Sequence, residues 1–303
     1  MVKKLPDGVH NNNLIDDLRI FSWEAADIFF KYSQKIKNSA QANNLIKNKD
    51  TKNPVTVADL EVNDLILKRM QEKYQNVGWK YLSEENAKIN HNSCETDHEW
   101  LWILDPLDGT KDFIQGTGDY AMHLALNHEK RPLIGVVLIP DKDELWISNG
   151  KKVWCERKDN SKQSLNLNFE KDISEMTVVT SKNHKNPTLK SLIDRIQFSK
   201  RIEMGSIGCK IASIIRGDSD IYLCLSLPGK SAPKDWDFAA PEAILNAAGG
   251  RITNINNEPL VYGQAGFEQG GLIVATNNNK SHEKICLQIK EILKKENNFS
   301  INF

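Results

Sequence analysis

The stretch that most constrains this chain is 105-DPLDGTKDF-113, which follows the apolar run EWLWIL at 99–104. It sets Asp105 and Asp108 at the end of a hydrophobic segment, breaks the chain with Pro106 and Gly109, then adds Thr110, Lys111 and a third acid, Asp112. Acids beside Gly and Pro are common in ordinary surface turns. A double acid closing a segment rich in Trp, Leu and Ile is different, because buried like charges cost stability unless a cation neutralises them. Any fold for this chain has to bring something positive to that point.

Two further stretches carry acids where an apolar strand gives way to a turn or helix start: 83-SEE-85 and 236-WD-237. Glu84, Asp105, Asp108 and Asp237 are the candidate acids, with the Leu107 carbonyl turned inward by the Pro106 bend. Hard divalent cations such as Mg²⁺ prefer oxygen ligands and are held with the help of substrate phosphate oxygens. No His or Cys lies among these residues, which argues against zinc. Such a site suits displacement at phosphorus: one metal makes a nucleophile of bound water and a second stabilises the leaving oxygen. Gly109 and Thr110 add backbone N–H groups for phosphate oxygens, and the Thr110 hydroxyl can align the attacking water. The spacing is not the DxDGT of haloacid-dehalogenase phosphatases, and no GxxxxGK[ST] loop occurs.

Composition limits the partners. Lys plus Arg and Asp plus Glu are both 40, so no overall field draws the protein to nucleic acid or an acidic membrane. The N-terminus lacks a signal-peptide core and the longest apolar runs, such as LIGVVLI, are too short to span a bilayer. Five scattered cysteines without a CxxC pair fit a reduced, cytoplasmic protein. His91, Cys94 and His98 read as an ordinary polar loop rather than a soft-metal site, and Trp100, Trp102 and Trp146 as core or edge residues.

Along the chain, periodicity predicts a helix from Leu14 to about Ala40 and another over roughly Asp59 to Lys73, with Leu60, Asn63 and Leu67 on one stripe. Strands follow at VGWKYLSEE, WLWILD, YAMHLALN and LIGVVLIP, the last two forming a hairpin, and ELWISNGKKVWCE makes a second hairpin turning at Asn149-Gly150. The polar stretch after residue 157 suggests two lobes, 1–157 and 158–303. The second lobe reads as strand MTVVTS, a helix from Pro187 to Arg195, helix KIASIIRG, strand DIYLCLS, the Ala-rich helix FAAPEAILNAAGG, strands GGRITN and GLIVATN, and a closing helix SHEKICLQIKEILKKEN. This mixture indicates α/β or α+β layering.

SEE, then DPLDGTKDF, then WDFAAPEAILNAAGG, together resemble the Mg²⁺-dependent phosphatases of the inositol monophosphatase superfamily, over roughly Leu14 to Thr276. The resemblance implies a five-layer αβαβα sandwich and a cofactor set of about two or three Mg²⁺ ions. Carried over position by position, it implies Glu84, Asp105, the Leu107 carbonyl, Asp108 and Asp237 as metal ligands and Thr110, with Glu84 or Asp59, as the catalytic residues aligning the water. It also implies that Asp59 helps to activate water or holds a weaker metal, whereas sequence alone favours a helix N-cap there.

DGTKDF is similar to the DGTK[DE]F of the 3′(2′),5′-bisphosphate nucleotidase branch, where inositol monophosphatases usually show DGTTNF. These nucleotidases remove the 3′-phosphate of adenosine 3′,5′-bisphosphate, and some accept its sulfated form. The segment 205-GSIGCK-210 resembles that branch too, implying that Ser206 and Lys210 reach the nucleotide end of the substrate. Lys210 reads equally well as an exposed helix lysine, and Lys111 as an ion-pair partner of Asp112 that shapes the loop. Phe238 and Pro241 depart from the branch at the start of the Ala-rich helix, and Lys230 and Lys234 lie in an unusually basic loop. The expectation is a Mg²⁺-dependent phosphomonoesterase acting on this nucleotide, with Glu84, Leu107, Asp108, Gly109, Thr110, Lys111, Ser206, Lys210 and Asp237 around the substrate. The alternatives are an inositol monophosphatase or broad sugar-phosphate phosphatase and, from another class, an inactive metal- or phosphate-sensing module.

Overall fold

The computed structural model describes residues 5–37, 46–48, 55–89, 98–165, 170–183 and 186–294. His91 and Cys94 lie outside them. Two helices lead: α1 (Asn11–Lys37) and, after the short strands β1 (Ile46–Asn48) and β2 (Val55–Thr56), α2 (Val57–Lys73). The core-facing stripe of α2 is Ala58, Val62, Ile66 and Met70 with Asn63. Leu60 and Leu67, expected on that stripe, are only half-buried, because this helix is apolar on two sides and the sequence pattern does not rank them.

A seven-stranded sheet follows in sequence order: β3 (Lys80–Ser83), β4 (Trp100–Asp108), β5 (Ala121–His128), β6 (Arg131–Ile139), β7 (Glu144–Ser148), β8 (Val153–Glu156) and β9 (Lys162–Ser164). Between its strands lie two short helices, α3 (Glu84–Ile89) and α4 (Thr110–Gln115). Only β3 and β4 pair in parallel; the other neighbours are antiparallel. The division expected after residue 157 falls inside the β8–β9 hairpin, since β9 still belongs to this sheet.

The second sheet has the order β11-β10-β12-β14-β13, built from β10 (Thr177–Ser181), β11 (Lys200–Met204), β12 (Ile221–Ser226), β13 (Arg251–Asn254) and β14 (Gly271–Thr276). Its helices are α5 (Pro187–Ile196), α6 (Ile207–Arg216), α7 (Asp235–Ala248) and α8 (His282–Lys294). Pro241 sits well inside α7, not in its first turn as the sequence suggested, because the helix begins at Asp235. Proline has no N–H to give the carbonyl four residues back, here that of Asp237.

Strand residues alternate between two apolar layers. Trp102, Leu104, Val136, Leu138 and Ile147 face α1 and α2, whereas Ile103, Val137, Ile139 and Trp146 face α6 and α7. This burial on both faces explains why the strands read as unbroken apolar runs. The inner layer continues through Ile211, Phe238 and Ile244 to Tyr222 and Ile273 of the second sheet, whose outer face packs on α5 and α8 through Leu192, Ile193, Ile285 and Ile289. The result is a five-layer αβαβα sandwich. Close approach of α7 to β6 depends on Gly135, where an added Cβ would come within 2.5 Å of Ala243 Cβ. Among the described residues no helix is long and apolar enough to cross a membrane.

Candidate active site

Strand β4 does not stop before the acids; it runs through them to Asp108. Pairing with β5 slips between Asp105, opposite His123, and Asp108, opposite Ala121. Three steps on β4 therefore match two on β5, which is a bulge. Side chains three apart on a regular strand face opposite ways. The bulge turns Asp108 to the side of Asp105, and Pro106 within it needs no ladder donor.

Asp237 enters from the first turn of α7. One oxygen from each of Asp105, Asp108 and Asp237 lies within 4.8 Å of the others. Each acid is held by local donors. Asp105 Oδ1 accepts from Leu107 N at 3.0 Å, and Asp237 Oδ2 from Lys234 N at 2.5 Å. Asp108 Oδ2 accepts from Ser206 Oγ at 2.7 Å and from Ile207 N. Glu84, the first residue of α3, lines the same cleft as Asp105 from the β3 side. Burial, reinforced by the neighbouring acids, pushes the carboxyls of Asp105 and Asp237 well above the usual carboxylate range. Burial likewise raises Glu84, with the adjacent Lys88 ammonium opposing it. A concentrated set of carboxylate oxygens with no soft ligand fits a hard divalent cation, which would remove that electrostatic strain.

Asp59 and Thr110 meet beside this cluster. Thr110 Oγ1 is 3.1 Å from Leu107 O and 3.4 Å from Asp59 Oδ1. Asp59 is not the N-cap of α2; Thr56 is, and Asp59 closes the capping box by accepting from Thr56 N at 2.8 Å and Thr56 Oγ1 at 2.5 Å. Burial lifts the Asp59 carboxyl to about 7 against those two hydrogen bonds. Gly109 adopts φ +89°, and a Cβ there would meet Asp119 O at 2.9 Å, so both conformation and space require glycine.

Glu84, Asp105, Leu107, Asp108, Gly109, Thr110 and Asp237 line a cleft of about 880 Å³ whose wall also includes Lys111, Ser206, Lys210, Trp236 and Phe267, with Asp59 behind Thr110. The lysines in it have different fates. Lys210 is not an exposed helix lysine: it is buried, donates to Gly205 O and to Ser206 O at 3.1 Å, and lies over the Tyr222 ring. Burial pulls its pKa down, with Asp108 opposing. Ser206 caps α6, accepting from Cys209 N while its own hydroxyl is given to Asp108. Lys234 is engaged by Gly266 O and Glu268, and Lys230 is exposed and does not line the cleft. The expected Lys111–Asp112 pair does not form. Asp112 is fully buried and takes Thr117 Oγ1 at 2.6 Å, Asn183 Nδ2 at 2.5 Å and Lys182 Nζ at 3.3 Å, tying α4 to the end of β10. Lys111 is left half-buried on the cleft wall with no carboxylate partner among the described residues.

Three participants escaped the sequence reading. His123 is fully buried, with Nδ1 at 3.3 Å from Trp236 O and Nε2 at 3.5 Å from Asp108 Oδ2, so it touches both acid motifs. Its side of β5 follows from strand alternation, but the register that sets it opposite Asp105 does not. Asp112 is expected from sequence only as the ion-pair partner of Lys111, and Lys88 carries no signal there.

The model of the "Inositol monophosphatase family" matches residues 18–294. A curated protein of Buchnera aphidicola subsp. Acyrthosiphon pisum, named 3′(2′),5′-bisphosphate nucleotidase CysQ, is 31% identical over 228 residues, 75% of this chain and 81% of that protein. The Escherichia coli K12 protein of the same name is 28% identical over 219 residues, 72% of this chain and 82% of its own. Among solved structures, a Thermotoga maritima IMPase superimposes with a TM-score of 0.71 at 19% identity, covering 94% of this chain and 99% of that one. CysQ from Bacteroides thetaiotaomicron does so with a TM-score of 0.63 at 24% identity, covering 85% and 97%.

Proposed function

This chain belongs to the inositol monophosphatase family, and from that premise we propose that it is a magnesium-dependent phosphomonoesterase hydrolysing the 3′-phosphate of adenosine 3′,5′-bisphosphate. The observation that carries the choice of substrate is Lys111, a lysine on the cleft wall free of any carboxylate among the described residues, in the DGTKDF context. A second phosphate on the substrate gives such a cation a purpose that a monophosphate does not. The relatives named as bisphosphate nucleotidases support the same reading.

Glu84, Asp105, the Leu107 carbonyl, Asp108 and Asp237 would hold the magnesium. When bound, it supplies Lewis-acid stabilisation of the phosphoryl oxygens and lowers the pKa of water. The chain itself supplies alignment and proton handling. The Thr110 hydroxyl, fixed between Leu107 O and Asp59, orients the attacking water in line with the phosphorus. Asp59, with a carboxyl near neutrality, takes the proton through Thr110. Backbone N–H groups of Gly109 and Thr110 receive the phosphate oxygens. Ser206 acts on Asp108, and Lys210 stiffens the Gly205–Ser206 turn that borders the nucleotide end. The free state of Cys155, Cys209, Cys224 and Cys286 is consistent with a cytoplasmic setting.

The decisive experiment compares Mg²⁺-dependent phosphate release from adenosine 3′,5′-bisphosphate, its sulfated form and inositol 1-phosphate. A kcat/KM for the nucleotides at least about tenfold above inositol 1-phosphate is expected, the scale of one charged contact. The reverse order would make the protein an inositol or sugar-phosphate phosphatase, and no turnover of any of them would leave a non-catalytic binding module.

A further inference from the structure

The two ends of the acid cluster are not alike. Oxygens of Asp105, Asp108 and Asp237 converge within 4.8 Å. Their donors there are backbone N–H groups and the Ser206 hydroxyl, whereas at the other end Glu84 meets a full positive charge. Asp59 is claimed by Thr56 and Thr110. Glu84 Oε1 is 3.0 Å from the Nζ of Lys88, one turn further along α3, and that ammonium also donates to Glu85 Oε1 at 2.7 Å. Lys88 lines the cleft, its side chain is 40% exposed, and Glu85 beneath it is nearly buried at 7%. A lysine reached from one turn away on the same helix, gripping two acids at once, is held in place by geometry rather than by chance of a long side chain.

We propose that Lys88 is a resident cation of the acid cluster, balancing the Glu84 end so that divalent ions bind tightly only at the Asp105–Asp108–Asp237 end. The inference rests on the metal-site reading above. Its physical basis is Coulombic: a divalent ion coordinated by Glu84 has to sit within a few ångströms of a fixed positive charge, in a partly buried site where screening is weak. Removing that charge frees a carboxylate oxygen and removes a repulsion, and both strengthen ion binding at Glu84. Lys88 is thus a positioning residue that sets how many ions the site holds and how tightly.

The test is Mn²⁺ binding to the full chain without substrate, followed by the electron paramagnetic resonance of free Mn²⁺, for wild type, Lys88→Gln and Lys88→Arg. Lys88→Gln is expected to take up one more tight Mn²⁺ per chain or to tighten the weaker ion at least about tenfold. Lys88→Arg, which keeps the charge, is expected to follow the wild type, separating charge from a general change in structure. Circular dichroism melts of the three proteins check that each is folded. Unchanged or weaker Mn²⁺ binding in Lys88→Gln overturns the role of Lys88 while leaving the metal site standing. Absence of Mn²⁺ binding in all three proteins overturns the metal site and this inference together.

Discussion

Ser206 donates its hydroxyl to Asp108 Oδ2 at 2.7 Å, joining the head of α6 to the bulged end of β4. The bond crosses from the segment that leads out of β11 to the strand that carries the acids, so one hydroxyl fixes both a helix cap and a candidate ligand. Ser206→Ala removes the cap on Cys209 N and lets Asp108 rotate. It is expected to lower stability by about 1 kcal/mol, the usual worth of a serine cap. Mg²⁺ affinity should fall by about 10- to 100-fold, the scale for losing a group that orients a metal ligand. Urea melts and Mg²⁺-dependence of the rate measure the two effects separately.

Asp108 itself is more than a bystander to this contact. Asp108→Asn keeps an oxygen to accept from Ser206 and Ile207 N but removes a charge from the cluster. Turnover is expected to fall more than about 1000-fold, at the upper end of losing one oriented electrostatic group, with the melting temperature unchanged or higher because a like charge has gone. Near-normal turnover in this variant would end the proposed mechanism.

Lys111→Gln tests the substrate. Loss of a charge-assisted contact to the second phosphate is expected to raise KM for the nucleotide bisphosphate about tenfold, with kcat little changed and inositol 1-phosphate hydrolysis unaffected. Equal effects on both substrates would place Lys111 at the phosphate under attack instead.

The acids predict how magnesium and pH interact. A carboxyl whose pKa is raised in the folded protein favours its protonated form there, so stability is lost as pH rises from the ordinary carboxylate range through the folded value. Asp105 and Asp237 are both raised by burial and by their neighbours. Without divalent ions the protein should therefore weaken from pH 5 towards pH 8. Magnesium at about 100 times its pH 8 Kd should restore about 5 °C of melting temperature at pH 8, and the same concentration almost nothing at pH 5, where protonated acids weaken its binding. Differential scanning fluorimetry with magnesium or with a chelator reads this directly.

Much of this site could be read from the chain, because its acids sit at strand ends and helix starts that local pattern marks well. DPLDGT and WD announced themselves by placing charge against apolar runs. The bulge that turns Asp105 and Asp108 to one side did not, since it depends on the register with β5. The fate of the lysines was hidden for the same reason. Lys210 is polar in sequence and buried in space because Gly205 and Ser206 present carbonyls to it. Strand β11, KRIEM, was missed altogether: it is a polar edge strand with no fully buried residue, so it lacks the apolar signal by which the other strands are found.

A last prediction concerns a group far from the cleft. His282 is fully buried at the start of α8, between Thr253 Oγ1 at 2.7 Å and Thr276 Oγ1 at 2.8 Å. Burial, helped by Arg251, lowers its pKa to about 4. For a base whose folded pKa is depressed, the neutral form is favoured by the fold. Its contribution is intact above the unfolded value near 6.5 and is lost as pH falls towards 4, because the unfolded chain takes up the proton first. The loss across that window is about 3 kcal/mol. His282→Gln should be less stable than wild type at pH 7, yet lose less stability between pH 6.5 and pH 4. Urea denaturation at half-unit pH steps measures both slopes, and parallel slopes would show that His282 is not the group that titrates.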